Sequence, residues 1–87
     1  MIKLTSVAVL GPPELALSFN DGSTGIWSAA NLIARDTELT KALSDHAYFD
    51  RAFIEAGALA WPNGLELSAH GLHQKLDEAG LLHRQAA

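Results

Sequence analysis

The run Trp61-Pro62-Asn63-Gly64 constrains this chain more than any other feature, because it spells a tight turn and is flanked by apolar positions. Pro62 presets φ for the first turn position, Asn63 tolerates the next, and Gly64 accepts the positive φ that closes such a loop. Asp21-Gly22 repeats the signal upstream. Both spell hairpin corners, which dictate antiparallel neighbours and name no chemistry.

The runs on either side of these corners have strand character. From Ile2 to Leu10, the residues Ile2, Leu4, Val7, Val9 and Leu10 are separated by small or polar ones, which predicts a first strand with an irregularity near Ser6. Gly11-Pro12-Pro13 stops it, since neither proline can donate to a ladder. Leu15, Leu17 and Phe19 then alternate with Ala16 and Ser18, the period of a strand with one buried face. Asn20-Asp21-Gly22-Ser23 turns the chain, and residues 24–28, with Ile26 and Trp27, return as the third strand of a meander.

Between Ala29 and Leu43 the apolar spacing becomes helical, and Asp36 or Thr37 can cap a short helix through Leu43. Asp45 can cap another turn, in which Tyr48 and Phe49 bring aromatic mass to the core. Residues 51–55 and 58–61 predict two further strands around an Ala56-Gly57 turn, and the Pro62-Asn63-Gly64 corner folds Leu65-Glu66-Leu67 back. Ser68 suits the N-cap of a final helix whose stripe is Ala69, Leu72, Leu76 and Ala79, with Gly80 placed to end it in the left-handed region. Leu81 and Leu82 then fold back onto the last turn. The expected architecture is one α+β domain over residues 1–82, followed by a fraying tail at 83–87. It is a small antiparallel sheet built from hairpins, packed with a short central helix and a C-terminal helix.

Composition narrows the functional classes. A chain of 87 residues makes one core and is too short to hide a deep cleft between two lobes. It has no cysteine, so neither disulfides nor a thiolate zinc site can supplement that core. A net charge of −4, with six Lys and Arg spread along the chain and no two adjacent, argues against direct binding to nucleic acid, whose phosphates need clustered cations. The start Met-Ile-Lys-Leu-Thr-Ser lacks the form of an export signal, and no stretch approaches the ~20 apolar residues that span a bilayer. A cytoplasmic, bacterial-type protein without a membrane partner is the expectation.

Two groups of residues carry a resemblance. The first is Leu15, Leu17, Phe19, Asp21, Gly22 and Gly25; the second is Leu43, Asp45 and Phe49, then Trp61-Pro62-Asn63-Gly64 and Leu67, leading into Ser68 and Leu72. Together they resemble a small bacterial family known as domain of unknown function 2442, over most of the chain. Two positions depart from that pattern: His73 stands where the family often has an aromatic, and Trp27 where it is frequently acidic. The resemblance implies an antiparallel sheet packed with one or two helices, free-standing or fused to a helix-turn-helix domain. Relatives beside toxin-like genes imply an antitoxin-type or regulatory role. No catalytic residue is implied.

Candidate sites follow from residue type and spacing. His70, His73 and Asp77 lie on one flank of the predicted last helix and could converge on a divalent ion, the basis of a metal-dependent enzyme reading. The same arrangement is ordinary for a solvated helix face, and no cofactor is expected. The carboxylate pairs Asp36 with Glu38, Asp45 with Asp50, and Asp77 with Glu78 each have a capping or surface role, and Ser23, Ser44 and Ser68 lack a nucleophile elbow. Trp61 fits either an interface anchor or the lid of the core. Adjacent strand residues point to opposite faces, so if Ile26 faces inward Trp27 faces outward. An outward Trp27 would favour a partner over that face, unless a helix of this chain covers it. The leading expectation is a non-enzymatic interaction domain, using Ile26 and Trp27 to bind a small protein partner or a second copy. A transcriptional accessory that reaches DNA only through a partner is the alternative of another class.

Overall fold

A computed structural model describes residues 1–84. The two hairpin corners organise seven strands into two antiparallel sheets. The first sheet takes β1 (Leu4–Gly11), β2 (Glu14–Phe19), β3 (Thr24–Ser28) and β7 (Leu82–His83) in spatial order 1-2-3-7. The second takes β4 (Phe53–Glu55), β5 (Ala58–Ala60) and β6 (Glu66–Leu67) in order 4-5-6. Three helices complete the fold, α1 (Ala30–Ala34), α2 (His46–Phe49) and α3 (Ala69–Glu78), with one 3-10 turn at Lys41–Ser44. The α+β class with a C-terminal helix is as the sequence predicts, while the strands divide between two sheets rather than one.

The two corners are the same turn. In the first, the Gly22 N–H donates to Phe19 O and the Phe19 N–H to Ser23 O; in the second, the Gly64 N–H donates to Trp61 O and the Trp61 N–H to Leu65 O. Asp21 Oδ1 accepts from the N–H of Ser23, and Asn63 Oδ1 from that of Leu65. Each is a three-residue hairpin loop closed by a left-handed glycine, with φ +87° at Gly22 and +96° at Gly64. Asn63 does more, because its Nδ2 donates to Leu39 O and its N–H to the Tyr48 hydroxyl. The corner therefore pins the irregular segment between α1 and β4 to the second sheet.

Alternation along β2 buries Leu15, Leu17 and Phe19, which join Leu4, Leu43, Phe49, Leu59, Trp61, Leu65, Leu72 and Leu76 in one core. The irregularity near Ser6 is real: the β1–β2 register shifts between Leu4 and Ser6. The Leu4 N–H leaves this ladder and donates to Gly57 O, linking the two sheets. Ser68 caps α3 by accepting from the Gly71 N–H, and α3 lays Leu72 and Leu76 on the core. Leu76 sits directly over Gly25, where a Cβ would meet its Cδ1 at 2.9 Å. A Cβ would also press on Leu81 O at 3.1 Å, so any larger residue must displace Leu76 or the chain after α3.

Three expectations are corrected. The expected short helix through Leu43 forms only as a turn: Asp36 adopts φ +52° and ends α1, while Thr37 does cap, accepting from the Thr40 N–H, but the segment it caps leads into the 3-10 turn Lys41–Ser44 and not into an α-helix. Side-chain oxygens that bond nearby backbone compete with a continuous helix. Ala79 is exposed and lies outside the buried stripe of α3. His83, expected in the tail, is instead paired: after α3, N–H bonds from Leu81 to Leu76 O and from Gly80 to Asp77 O reverse the chain, and Leu82–His83 pair with Gly25 and Thr24 as β7. The remainder of that expected tail, residues 85–87, lies outside the described residues.

Candidate functional site

Register decides which way each strand residue points. Leu15 pairs with Trp27 and Ala16 with Ile26, so Trp27 shares the buried face of Leu15 and Ile26 lies on the opposite one. The expectation for an outward Trp27 is therefore reversed: Trp27 is half-buried against the core beside α1 and α3, and Ile26 is 50% exposed. The helices of this chain take the tryptophan. Trp61 is likewise internal, its ring tilted against Phe49 and its Nε1–H donating to Phe49 O at 3.1 Å.

Ile26 belongs to a row. Ala8, Ala16 and Ile26 are ladder partners across β1, β2 and β3, and the neighbouring row is Ser6, Ser18, Thr24 and His83. These residues form the outer face of the first sheet. Ser6, Ala8, Thr24 and Ile26 are exposed, and Ala16 and Ser18 half-buried. Leu10 and Leu81 add exposed apolar surface at 54% and 51%. Between Ala16, Thr24, Ile26, Leu81 and His83 the face dips into a hollow of about 440 Å³. It is a patch without Asp, Glu, Lys or Arg in which small and apolar groups are mixed with Ser6, Ser18, Thr24 and His83.

The titratable residues that the fold does bring together are others. His73 Nε2–H donates to Asp21 Oδ2 at 2.9 Å, joining α3 to the β2–β3 corner across 52 positions of sequence. Arg84 stands 3.7 Å from the same carboxylate and 3.6 Å from Asp77. The hydroxyl of buried Ser23 donates to Asp21 Oδ1. Hydrogen bonds from the Ser23 hydroxyl and N–H, and then the His73 imidazole, hold the Asp21 carboxyl below its ordinary 3.8, at about 2. Serine, aspartate and histidine meet here, yet Ser23 and His73 both address the aspartate and not each other. The imidazole does not reach the hydroxyl, and the carboxylate that does is a weak base at about 2, so the cluster ties a turn to a helix and lacks the wiring of a nucleophile. His73 also stands edge-on to Phe19, ring centroids 5.0 Å apart, filling an aromatic's place.

The proposed metal flank does not assemble. His73 turns to Asp21, Asp77 turns to Arg84, and His70 is exposed. Among the described residues, no group of three or more His, Asp or Glu is arranged to hold a metal ion. The other candidates have local tasks: Asp45 accepts from the Ala47 N–H, Glu38 pairs with Lys41 at 3.6 Å, and the Ser44 hydroxyl donates to Lys41 O. Spacing on one helix gave no access to the Asp21–His73–Arg84 set, whose members come from three separate elements. The aromatic-to-histidine departure at position 73 was its one visible sign.

These features define a small α+β domain of two hairpin-built sheets, its polar clusters spent on holding corners and its open surface an apolar sheet face. The chain belongs to the family described as Protein of unknown function (DUF2442), whose model matches residues 4–77. No curated protein and no solved structure matches it. Among the described residues, no helix is long and apolar enough to cross a membrane.

Proposed function

We propose that this protein is a cytoplasmic, non-enzymatic interaction domain whose outer sheet face docks a small protein partner or a second copy of itself. The observation that carries the reading is the row Ala8, Ala16 and Ile26 with Leu10 and Leu81 beside it, apolar surface that no other element of the described chain covers. Burying such a face removes apolar area from water at about 25 cal/mol per Å² and needs no catalytic group. Specificity comes from the hollow beside Ile26, which accepts one protruding side chain. An antitoxin-type or regulatory role fits this mode, since sequestering a partner requires only a surface.

The test compares the wild-type protein with Ile26→Glu. Sedimentation equilibrium reports self-association, and capture from the native cells reports a partner at near-equal stoichiometry. The reading expects one of these associations in the wild type and its loss in Ile26→Glu. A monomer that retains nothing, or a partner held equally by both proteins, overturns it.

A further inference from the structure

A second surface lies on the opposite side of the first sheet. Between α1 and α3 there is a cleft of about 290 Å³, its apolar wall made by Trp27, Leu32, Leu67 and Leu72 and its cationic groups by Arg35 and Lys75. The protein carries −4 overall, yet two of its six Lys and Arg line this cleft and none of its ten Asp and Glu does. Among the described residues, neither cation lies within 4.0 Å of a carboxylate, which leaves both free to meet an anion. A local excess of positive charge beside apolar surface, inside an acidic molecule, is complementary to a ligand with the opposite charge and a matching apolar part.

Two sequence choices keep the cleft as it is. Gly71 lies within α3, where glycine costs roughly 1 kcal/mol against alanine. It also lines the cleft, and a Cβ there would press on the Ser68 capping hydroxyl at 3.0 Å. Trp27 is the other: a half-buried indole extends the apolar wall to the opening and offers aromatic surface there.

We propose that this cleft binds a small organic anion, a carboxylate on a planar apolar body of roughly a dozen non-hydrogen atoms, the size that a cavity at the lower end of the ligand-site range accepts. The apolar body lies against Trp27, Leu32 and Leu72, and the carboxylate meets Arg35 and Lys75. Two cations neutralise one such group and are too few for a polyanion. The site is separate from the outer sheet face, so neither reading depends on the other.

The probe is 1-naphthoate, with neutral 1-naphthamide as its isostere, titrated into the 15N-labelled full chain. Only two indole N–H signals exist, and that of Trp61 is buried and bonded to Phe49 O, so it serves as an internal control. Naphthoate is expected to give a saturable shift of the Trp27 indole and the Gly71 and Lys75 amides, with naphthamide at least about tenfold weaker, the loss of one charge-assisted contact. Arg35→Gln with Lys75→Gln should weaken naphthoate by at least about tenfold and leave naphthamide binding and the Trp61 signal unchanged. The proposal is overturned by no shift at Trp27 up to about 5 mM naphthoate, by equal binding of the two probes, or by shifts confined to the outer sheet face.

Discussion

Asp21 shows how much one polar side chain can carry in a domain of this size. Its two oxygens serve the Ser23 N–H and hydroxyl on one side and His73 and Arg84 on the other. Asp21→Ala would strand the buried Ser23 hydroxyl and cut the tie to α3, so a loss of about 1–3 kcal/mol is expected in urea denaturation at neutral pH. The acid dependence has a definite sign. A carboxyl held at about 2 in the folded protein against an ordinary 3.8 adds stability that is fully present above the unfolded value and disappears as pH falls through the folded one. Unfolding midpoints of the wild type should therefore drop between about pH 5 and pH 2, and Asp21→Asn should flatten that decline. An unchanged slope in the variant would remove Asp21 from the account. Ala56 argues the converse, that one position is poorly filled: it is held at φ +51° in the β4–β5 turn, a conformation that costs an L-residue about 1–2 kcal/mol. Ala56→Gly should stabilise the protein by about 0.5–1 kcal/mol once the added freedom of the unfolded chain is counted, read as a higher urea midpoint.

Among the elements, the hairpin corners were the most legible in the sequence, because their turn chemistry is local. Asn63-Gly64 and Asp21-Gly22 each specify the same loop without help from distant residues. Gly64→Ala isolates that contribution: a Cβ at Gly64 meets nothing within 4 Å, so the penalty is the left-handed backbone alone. A destabilisation of about 1–3 kcal/mol is expected, and a variant as stable as the wild type would mean that the corner can rearrange. The final helix was legible for a similar reason, its cap and apolar stripe lying within a few turns of each other. What escaped was set by distance. β7 is two residues long and owes its existence to Leu81 and Gly80 reversing the chain onto Gly25, so no alternating pattern could announce it. Between Ala30 and Ser44 the cap at Thr37 was legible, but the 3-10 form of the segment after it escaped because Thr37 and Thr40 satisfy one another, a choice that apolar spacing does not record. The Asp21–His73 contact joins the β2–β3 corner to α3 across 52 positions, and only the departure at position 73 hinted at it. At Ile26 and Trp27 periodicity established that the two must face apart, and only the ladder to Leu15 and Ala16 says which is which.

At the scale of the whole molecule, that reversal separates two surfaces with different demands. The face shared by Leu15, Leu17 and Trp27 is closed by helices, whereas Ala8, Ala16 and Ile26 form a face that packing leaves open. Stability and association should therefore respond independently to substitutions at neighbouring residues. Trp27→Ala removes part of the core-facing surface and should cost roughly 1–3 kcal/mol, less than a fully buried tryptophan because the indole is partly exposed. Ile26→Glu places a charge where water already reaches and should change stability by no more than about 0.5 kcal/mol. In association the order is inverted: a carboxylate beside Ala16 and Leu81 has no counter-charge once that face is covered, and burying it unpaired would abolish docking. Urea denaturation and sedimentation of the two variants side by side measure both quantities. If Trp27→Ala weakened association while Ile26→Glu left it intact, the working surface would be the helical side of the sheet, and the open face would be only the outside of a well-packed domain.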